Sequence, residues 1–147
     1  MHYFSLSNSD LKAGFSAAMR MGLAPDKGLF FPERIPEFNA SLGAWNQERP
    51  LSFWGTEVMV PFAEGDVAAD RVKSCMVEAL SMPIELVELE PGLHVLELFH
   101  GPTAAFKDVG ARAMSRLLAE TNEGELTVLV ATSGDTGSAV AQGFLNA

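Results

Sequence analysis

The sequence is poor in cysteine, in positive charge and in long apolar runs. Its one cysteine, Cys75, cannot form an internal disulfide, which favours a reducing, cytoplasmic setting. Lys and Arg total 10 against 19 Asp and Glu, a formal charge of -9, and this balance disfavours a general binder of nucleic acid or anionic membranes. No apolar stretch approaches the roughly 20 residues that a membrane-spanning helix needs. The N-terminus lacks a basic segment followed by an apolar one, so no signal peptide is predicted.

The three histidines and the cysteine have no metal-ligand spacing, so the sequence predicts no metal site. What is present is a composition of 48% hydrophobic and 20% charged residues, which is typical of a globular chain that buries a core. The pattern changes near Met82 and Pro83. We therefore predict a boundary there, between residues 1–82 and 83–147.

Helical periodicity dominates the first region. A helix is predicted from Asn8 or Ser9 to about Met21, ended by Gly22, and two more are predicted over residues 52–61 and 66–82. Residues 25–36 are punctuated by proline and glycine and predict turns and extended chain. The first region is thus interpreted as a helical accessory layer.

The second region alternates between short apolar segments and helices. Segments 84–89 and 93–99 are followed by a helix over about 104–120, a strand over 126–131 and a helix from near Thr136. This order predicts an α/β fold with the start of a mostly parallel sheet and flanking helices. A strand as apolar as 126–131 expects neighbours on both edges, so we predict that the chain is truncated from a longer enzyme.

A lysine follows an aromatic residue in the segment His100-Gly-Pro-Thr-Ala-Ala-Phe-Lys107-Asp. We expect Thr103 to cap the following helix and Phe106 to begin its buried face, with Val109, Ala113 and Leu117. A helix start and an apolar ring both disfavour the charged amine, and an uncharged amine is what attack on an aldehyde requires. The alternative from spacing alone is a solvated helix lysine, with Asp108 paired to Arg112.

A second segment, Ala131-Thr-Ser133-Gly134-Asp135-Thr136-Gly-Ser138, joins the predicted strand to the last helix. Free backbone amides and small residues at such a junction make an anion site, and the hydroxyls of Ser133 and Thr136 add donors. The alternative is an ordinary capped turn in which Asp135 or Thr136 satisfies the helix amides.

Both segments resemble the threonine synthase family. The lysine segment, continued by Gly110-Ala-Arg112, is similar nearly residue for residue to the signature around that family's cofactor lysine. Residues 22–33 resemble the family's N-terminal segment, which usually reads Gly-Leu-Ala-x-Asp-Gly-Gly-Leu, although Lys27 stands here in place of a glycine. Ser5-Leu-Ser-Asn8 likewise replaces the usual Ser-Thr-Arg-Gly.

The resemblance implies a tryptophan-synthase-β type fold and a pyridoxal 5'-phosphate enzyme that converts O-phospho-L-homoserine and water to L-threonine and phosphate. It implies that Lys107 holds the cofactor as a Schiff base and moves protons as general base and acid. Ser133, Gly134 and Thr136 would receive the substrate carboxylate, and Asp135 would lie near the cofactor's 3-hydroxyl, where many relatives carry asparagine.

Under the same resemblance, residues 1–82 are the accessory region and residues 83–147 begin the cofactor-binding catalytic domain. The family's glycine-rich loop for the cofactor phosphate and its partner for the pyridine nitrogen are not found in this sequence. The implied partner is therefore the remainder of the catalytic chain. Two alternatives stay open: a phospho-lyase or dehydratase of the same fold, and a non-catalytic fragment.

Overall fold

The computed structural model describes residues 1–37, 49–132 and 134–145 of the chain. These residues form two small antiparallel sheets and five α-helices. The strands are β1 (His2–Ser5), β2 (Lys12–Gly14), β3 (Phe30–Pro32), β4 (Glu85–Glu90) and β5 (Leu93–Glu97). The helices are α1 (Phe15–Met21), α2 (Leu51–Ala63), α3 (Ala69–Ala79), α4 (Lys107–Thr121) and α5 (Asp135–Phe144). None of these helices has the length and apolar character needed to cross a membrane.

The first region contains a sheet that the helical pattern did not predict. Its strand order is β2-β1-β3, with both neighbours antiparallel to β1. The first helix begins at Phe15 and not at Asn8 or Ser9, because residues 12–14 pair with β1, while the Asn8 side chain accepts the Asp10 N–H in a turn at 3.0 Å. Gly22 does end the helix, with φ 70° and its N–H donated to the preceding turn.

The turn before β3 is built around Asp26. The buried Ser5 hydroxyl donates to both carboxylate oxygens of Asp26, at 2.8 and 2.9 Å, and the Gly28 N–H donates to Oδ1 at 2.9 Å. A Cβ on Gly28 would lie 2.0 Å from Ser5 Oγ, so the close approach requires glycine. Lys27, which stands where the family usually has glycine, takes a left-handed φ of 66° in this turn.

The main apolar core lies between the helices of the first region and α4. Its buried members are Phe15, Ala63, Val72, Cys75, Met76 and Leu117. Cys75 is therefore a core residue, and burial raises the pKa of its thiol. Because Leu117 belongs to this core, the helix that starts at Lys107 is anchored on the helices of the first region.

The described residues contain both strands and helices, as predicted, but their paired strands are all antiparallel, so the predicted parallel sheet is not formed among them. Strands β4 and β5 form an antiparallel hairpin, with Val87 opposite Val95 and Gly92 at φ 83° in the turn. Residues 126–131 are not in a strand, and Leu129 is 90% exposed. A strand needs the backbone of a neighbour for its hydrogen bonds, and no described strand pairs with this segment.

Candidate active site

Helix α4 is joined to α3 at both of its ends. Near its C-terminus, Glu120 accepts two hydrogen bonds from the Arg71 guanidinium, at 2.7 and 2.6 Å. Nearer its N-terminus, Arg112 donates to the Ala79 carbonyl at 3.0 Å and to the Glu78 carbonyl at 2.7 Å. These carbonyls belong to the end of α3, where a cation is favoured. The position of α4 is therefore fixed by polar contacts as well as by the core.

The same contacts correct the expected pairing of Asp108 with Arg112. Arg112 is committed to α3, with a third hydrogen bond to Ser81 Oγ at 3.0 Å. Asp108 instead faces back along the chain: it accepts the Thr103 N–H at 2.9 Å and the Thr103 hydroxyl at 2.7 Å. Thr103 is thus a donor to Asp108 and does not cap the helix, whose first turn has no side-chain cap.

Helix α4 buries a different face from the one that the sequence predicts. In its first turns, each buried position lies two residues later in the chain than the predicted one. The members of the buried face follow helical spacing at Asp108, Ala111, Ser115 and Leu118, together with Leu117. Phe106 is 59% exposed. The reason is that residues 101–106 form turns, including the left-handed Ala104 at φ 53°, and the helix starts only at Lys107.

Lys107 is the first residue of α4 and is partly buried. Its Nζ lies 4.3 Å from the centroid of the Phe106 ring. The exposed ring therefore contacts the amine on one side. It is a cation–π partner when the amine is charged and an apolar surface when the amine is neutral. The predicted neighbourhood of a lysine, an aromatic ring and a helix start is confirmed.

Lys107 opens onto a cleft between α4 and α5 with a volume of about 660 Å³. The two helices pack closely at the far end, where a Cβ on Gly143 would lie 2.9 Å from the Ala111 carbonyl oxygen. Gly110 has no atom within 4 Å of an added Cβ, so open space adjoins it. The cleft is lined by Leu98 and by one side of each helix, including Lys107, Gly110, Met114, Thr136, Ala139 and Val140.

The predicted anion loop lies at the start of α5. Gly134 is the residue before the helix, and Asp135 and Thr136 are its first two members. None of the described side chains caps this helix start, so the ordinary capped turn is not what the described residues form. Gly134 N–H donates to Thr132 Oγ1 at 3.3 Å. Ser133, the fourth residue predicted for this loop, lies outside the described residues.

The structure therefore brings together part of the predicted site. Lys107 and Thr136 line one cleft. Gly134 and Asp135 directly precede Thr136 along the chain, and Asp135 is exposed to solvent. The sequence reasoning missed the part played by Asp108, whose position one residue after the lysine and five after Thr103 was the available signal.

A separate polar group lies just before the lysine segment. Ligand atoms of Glu85, Glu97 and His100 lie within 4.8 Å of one another, although metal-ligand spacing in the sequence gave no sign of it. His100 Nε2 is 2.6 Å from Glu97 Oε2. This close contact explains the position of the imidazole, and both glutamates belong to the β4–β5 hairpin.

Comparison with known proteins decides the family. The model of the family described as threonine synthase N terminus matches residues 2–80. The chain belongs to the threonine synthase family. It is 39% identical to the threonine synthase of Haemophilus influenzae over 147 residues and 35% identical to that of Escherichia coli, covering 98% of this chain and 34% of each relative.

Solved structures give the same assignment. The threonine synthase of Escherichia coli matches with a TM-score of 0.90 at 32% identity, over 99% of this chain and 34% of that chain. A threonine synthase from Brucella melitensis, described as bound to PLP, matches with a TM-score of 0.87 at 35% identity. The chain thus spans about a third of the length of the threonine synthases it matches.

Proposed function

We propose that this chain acts as the N-terminal part of a threonine synthase, a lyase that converts O-phospho-L-homoserine and water to L-threonine and phosphate. The observation that carries the proposal is Lys107, a primary amine at the start of α4 on the wall of the cleft. The family match over residues 2–80 and the PLP-bound relative from Brucella melitensis support it.

The residues present fit pyridoxal 5'-phosphate. A cleft of about 660 Å³ falls within the roughly 300–1,000 Å³ of typical small-molecule sites. It offers one amine for covalent attachment, an aromatic ring beside that amine and free space next to Gly110. When bound, pyridoxal phosphate supplies an electron sink for charge that develops on substrate carbon.

The chain's own residues have two tasks in this proposal. The amine of Lys107 holds the cofactor and then takes and returns protons at substrate carbons, as general base and acid. The start of α5 receives the substrate carboxylate, through backbone amides and the hydroxyls of Ser133 and Thr136, with Gly134 allowing close approach. The absence of a described side-chain cap on α5 leaves those amides free for this purpose.

Asp135 is proposed as the cofactor's second neighbour. An ionised carboxylate only accepts hydrogen bonds, whereas the asparagine of many relatives also donates. The proton arrangement at the cofactor's 3-hydroxyl would therefore differ from theirs. Asp135 is exposed in the chain by itself, which leaves it accessible to a cofactor on the cleft side of α5.

We also propose that the remainder of the catalytic chain is the direct partner of these residues. Val128, Leu129 and Val130 are exposed apolar residues in the segment that predicts a strand. Pairing with further strands would bury them and complete a mostly parallel sheet. Residues 1–82 would then be the accessory region and residues 83–147 the start of the catalytic domain, in a cytoplasmic enzyme.

The test uses the complete gene product that contains these residues, supplied with pyridoxal phosphate and O-phospho-L-homoserine. Phosphate release and the amino-acid product are measured together. We expect equal amounts of phosphate and threonine, no activity in Lys107→Ala, and nearly full activity in Lys73→Ala, which removes an exposed amine from α3. We expect the 147 residues alone to be inactive.

Phosphate release with a 2-oxo acid in place of threonine would indicate the phospho-lyase alternative. Absence of any turnover by the complete gene product would refute the proposal. Full activity in Lys107→Ala would refute the assigned role of the lysine.

A further inference from the structure

Asp108 is a carboxylate with no exposed surface. A buried charge of this kind is tolerated only when hydrogen bonds replace the water it has lost. Asp108 has two such bonds, both from Thr103: the backbone N–H reaches Oδ2 at 2.9 Å and the hydroxyl reaches Oδ1 at 2.7 Å. One residue of the preceding turn thus satisfies both oxygens.

The turn is folded closely around this carboxylate. A Cβ on Gly101 would lie 2.4 Å from Asp108 Oδ2, so the backbone of residue 101 touches the acid. Ala104 N–H donates to the Gly101 carbonyl at 3.0 Å, and Ala104 takes a left-handed φ of 53°. Residues 101–106 can hold this strained path because Asp108 fixes it from inside.

Lys107 lies between this turn and its anchor. Its neighbour on one side, Phe106, ends the turn, and its neighbour on the other side is Asp108 itself. The direction in which the lysine leaves the backbone therefore depends on the contacts of Asp108 as well as on the packing of α4. An error of about 1 Å in the placement of a reacting group lowers a rate by about 100-fold.

We propose that Asp108 is a positioning residue whose buried carboxylate locks the turn at 101–106 and so holds the amine of Lys107 at the cleft. This inference rests on the proposed function of Lys107. It assigns no contact between Asp108 and the cofactor or substrate.

The test measures attachment of pyridoxal phosphate to the complete gene product freed of cofactor, at a temperature well below unfolding. The attachment rate is followed by visible absorbance, and the attached residue is identified by borohydride reduction and peptide mapping. Hydrogen exchange of residues 101–107 is measured in the cofactor-free protein. We compare Asp108→Asn, which keeps the shape and one acceptor, with Asp108→Ala and Thr103→Val.

Asp26→Asn is the matched control. Asp26 also accepts a side-chain hydroxyl and a backbone N–H in a glycine-containing turn, but that turn adjoins the N-terminal sheet. We expect Asp108→Asn to slow attachment at Lys107 at least about tenfold, Asp108→Ala to slow it further, and both to increase exchange in residues 101–107. Asp26→Asn should lower stability and attach cofactor at the wild-type rate.

Wild-type attachment rates in Asp108→Asn and Thr103→Val, with stability lowered as in Asp26→Asn, would overturn the positioning role and leave the proposed function intact. If Asp108→Asn does not fold, Thr103→Val decides alone: slowed attachment supports the inference and an unchanged rate overturns it. Failure of the wild-type protein to attach cofactor at Lys107 would refute the proposed function itself, and the inference with it.

Discussion

Replacing Gly101 by alanine is expected to destabilise the chain strongly through Asp108. The added Cβ would lie 2.4 Å from Asp108 Oδ2, 2.9 Å from Asp108 Cβ and 2.8 Å from Met82 Sδ. The flexible end of Met82 can move aside, but Asp108 is fully buried and held by two hydrogen bonds. The acid must therefore shift, and at least one of its bonds must weaken.

The expected loss follows from two contributions. Overpacking a filled site costs about 1–3 kcal/mol, and losing a hydrogen bond to a charged group costs about 1.5–3 kcal/mol. Since the site relaxes in part, we expect Gly101→Ala to lower the free energy of unfolding by about 2–4 kcal/mol. This is a large fraction of the roughly 5–15 kcal/mol that stabilises a typical domain.

Gly110→Ala is the matched control, since Gly110 lies in α4 with open space around the added methyl. Alanine there is expected to raise the free energy of unfolding by up to about 1 kcal/mol, from helix propensity alone. Urea unfolding of both variants, followed by circular dichroism, gives the two values. Equal stability in Gly101→Ala and the wild type would refute the close packing of the turn around Asp108.

Three further changes test other parts of the fold. Lys27→Gly should raise the free energy of unfolding by about 0.5–1 kcal/mol, because glycine relieves a left-handed φ of 66°; urea unfolding checks this, and a loss would contradict it. Burial raises the pKa of Tyr3 to about 12 from 10.0. The stabilisation of the fold that depends on the protonated phenol is therefore complete below pH 10 and is lost as the pH rises towards 12. Over that interval the free energy of unfolding of the wild type should fall by about 1 kcal/mol more than that of Tyr3→Phe, after discounting for partial exposure. Equal dependence of unfolding free energy on pH in the two proteins would refute the pKa shift. Arg112→Lys replaces a planar donor that reaches three acceptors, and should lower the free energy of unfolding by about 1–2 kcal/mol. The control Arg20→Lys, at an exposed position, should change it by less than about 0.5 kcal/mol. Thermal unfolding measures both.

The sequence predicted those elements whose pattern is sufficient to form them. Helices α2 to α5 lie where apolar periodicity places them, because each buries a face against another described helix. The lysine segment was specific enough to identify the family from nine consecutive residues. The position of Lys107 at a helix start followed from the same segment.

Prediction failed where long-range contacts override local pattern. Residues 12–14 have a helical pattern but pair with β1, which delays α1 to Phe15. The face of α4 was predicted from Phe106, whereas the turn held by Asp108 delays the helix and buries a different set of positions.

The strand predicted at 126–131 illustrates a different limit. Its composition favours a strand, but a strand exists only through its partners, and no described strand pairs with it. The remaining part of the candidate site, the loop at 133–136, was predicted from its position before a helix. The start of α5 agrees with that position, and the roles of its residues stay predictions.

The most direct test of the proposed function is the identity of the lysine that carries the cofactor. The chain has four lysines, at positions 12, 27, 73 and 107. The complete gene product is incubated with pyridoxal phosphate, reduced with borohydride, digested and analysed by mass spectrometry. We expect the pyridoxyl mass on Lys107 alone, in about one equivalent per chain. A modification on any other lysine, or none, would contradict it.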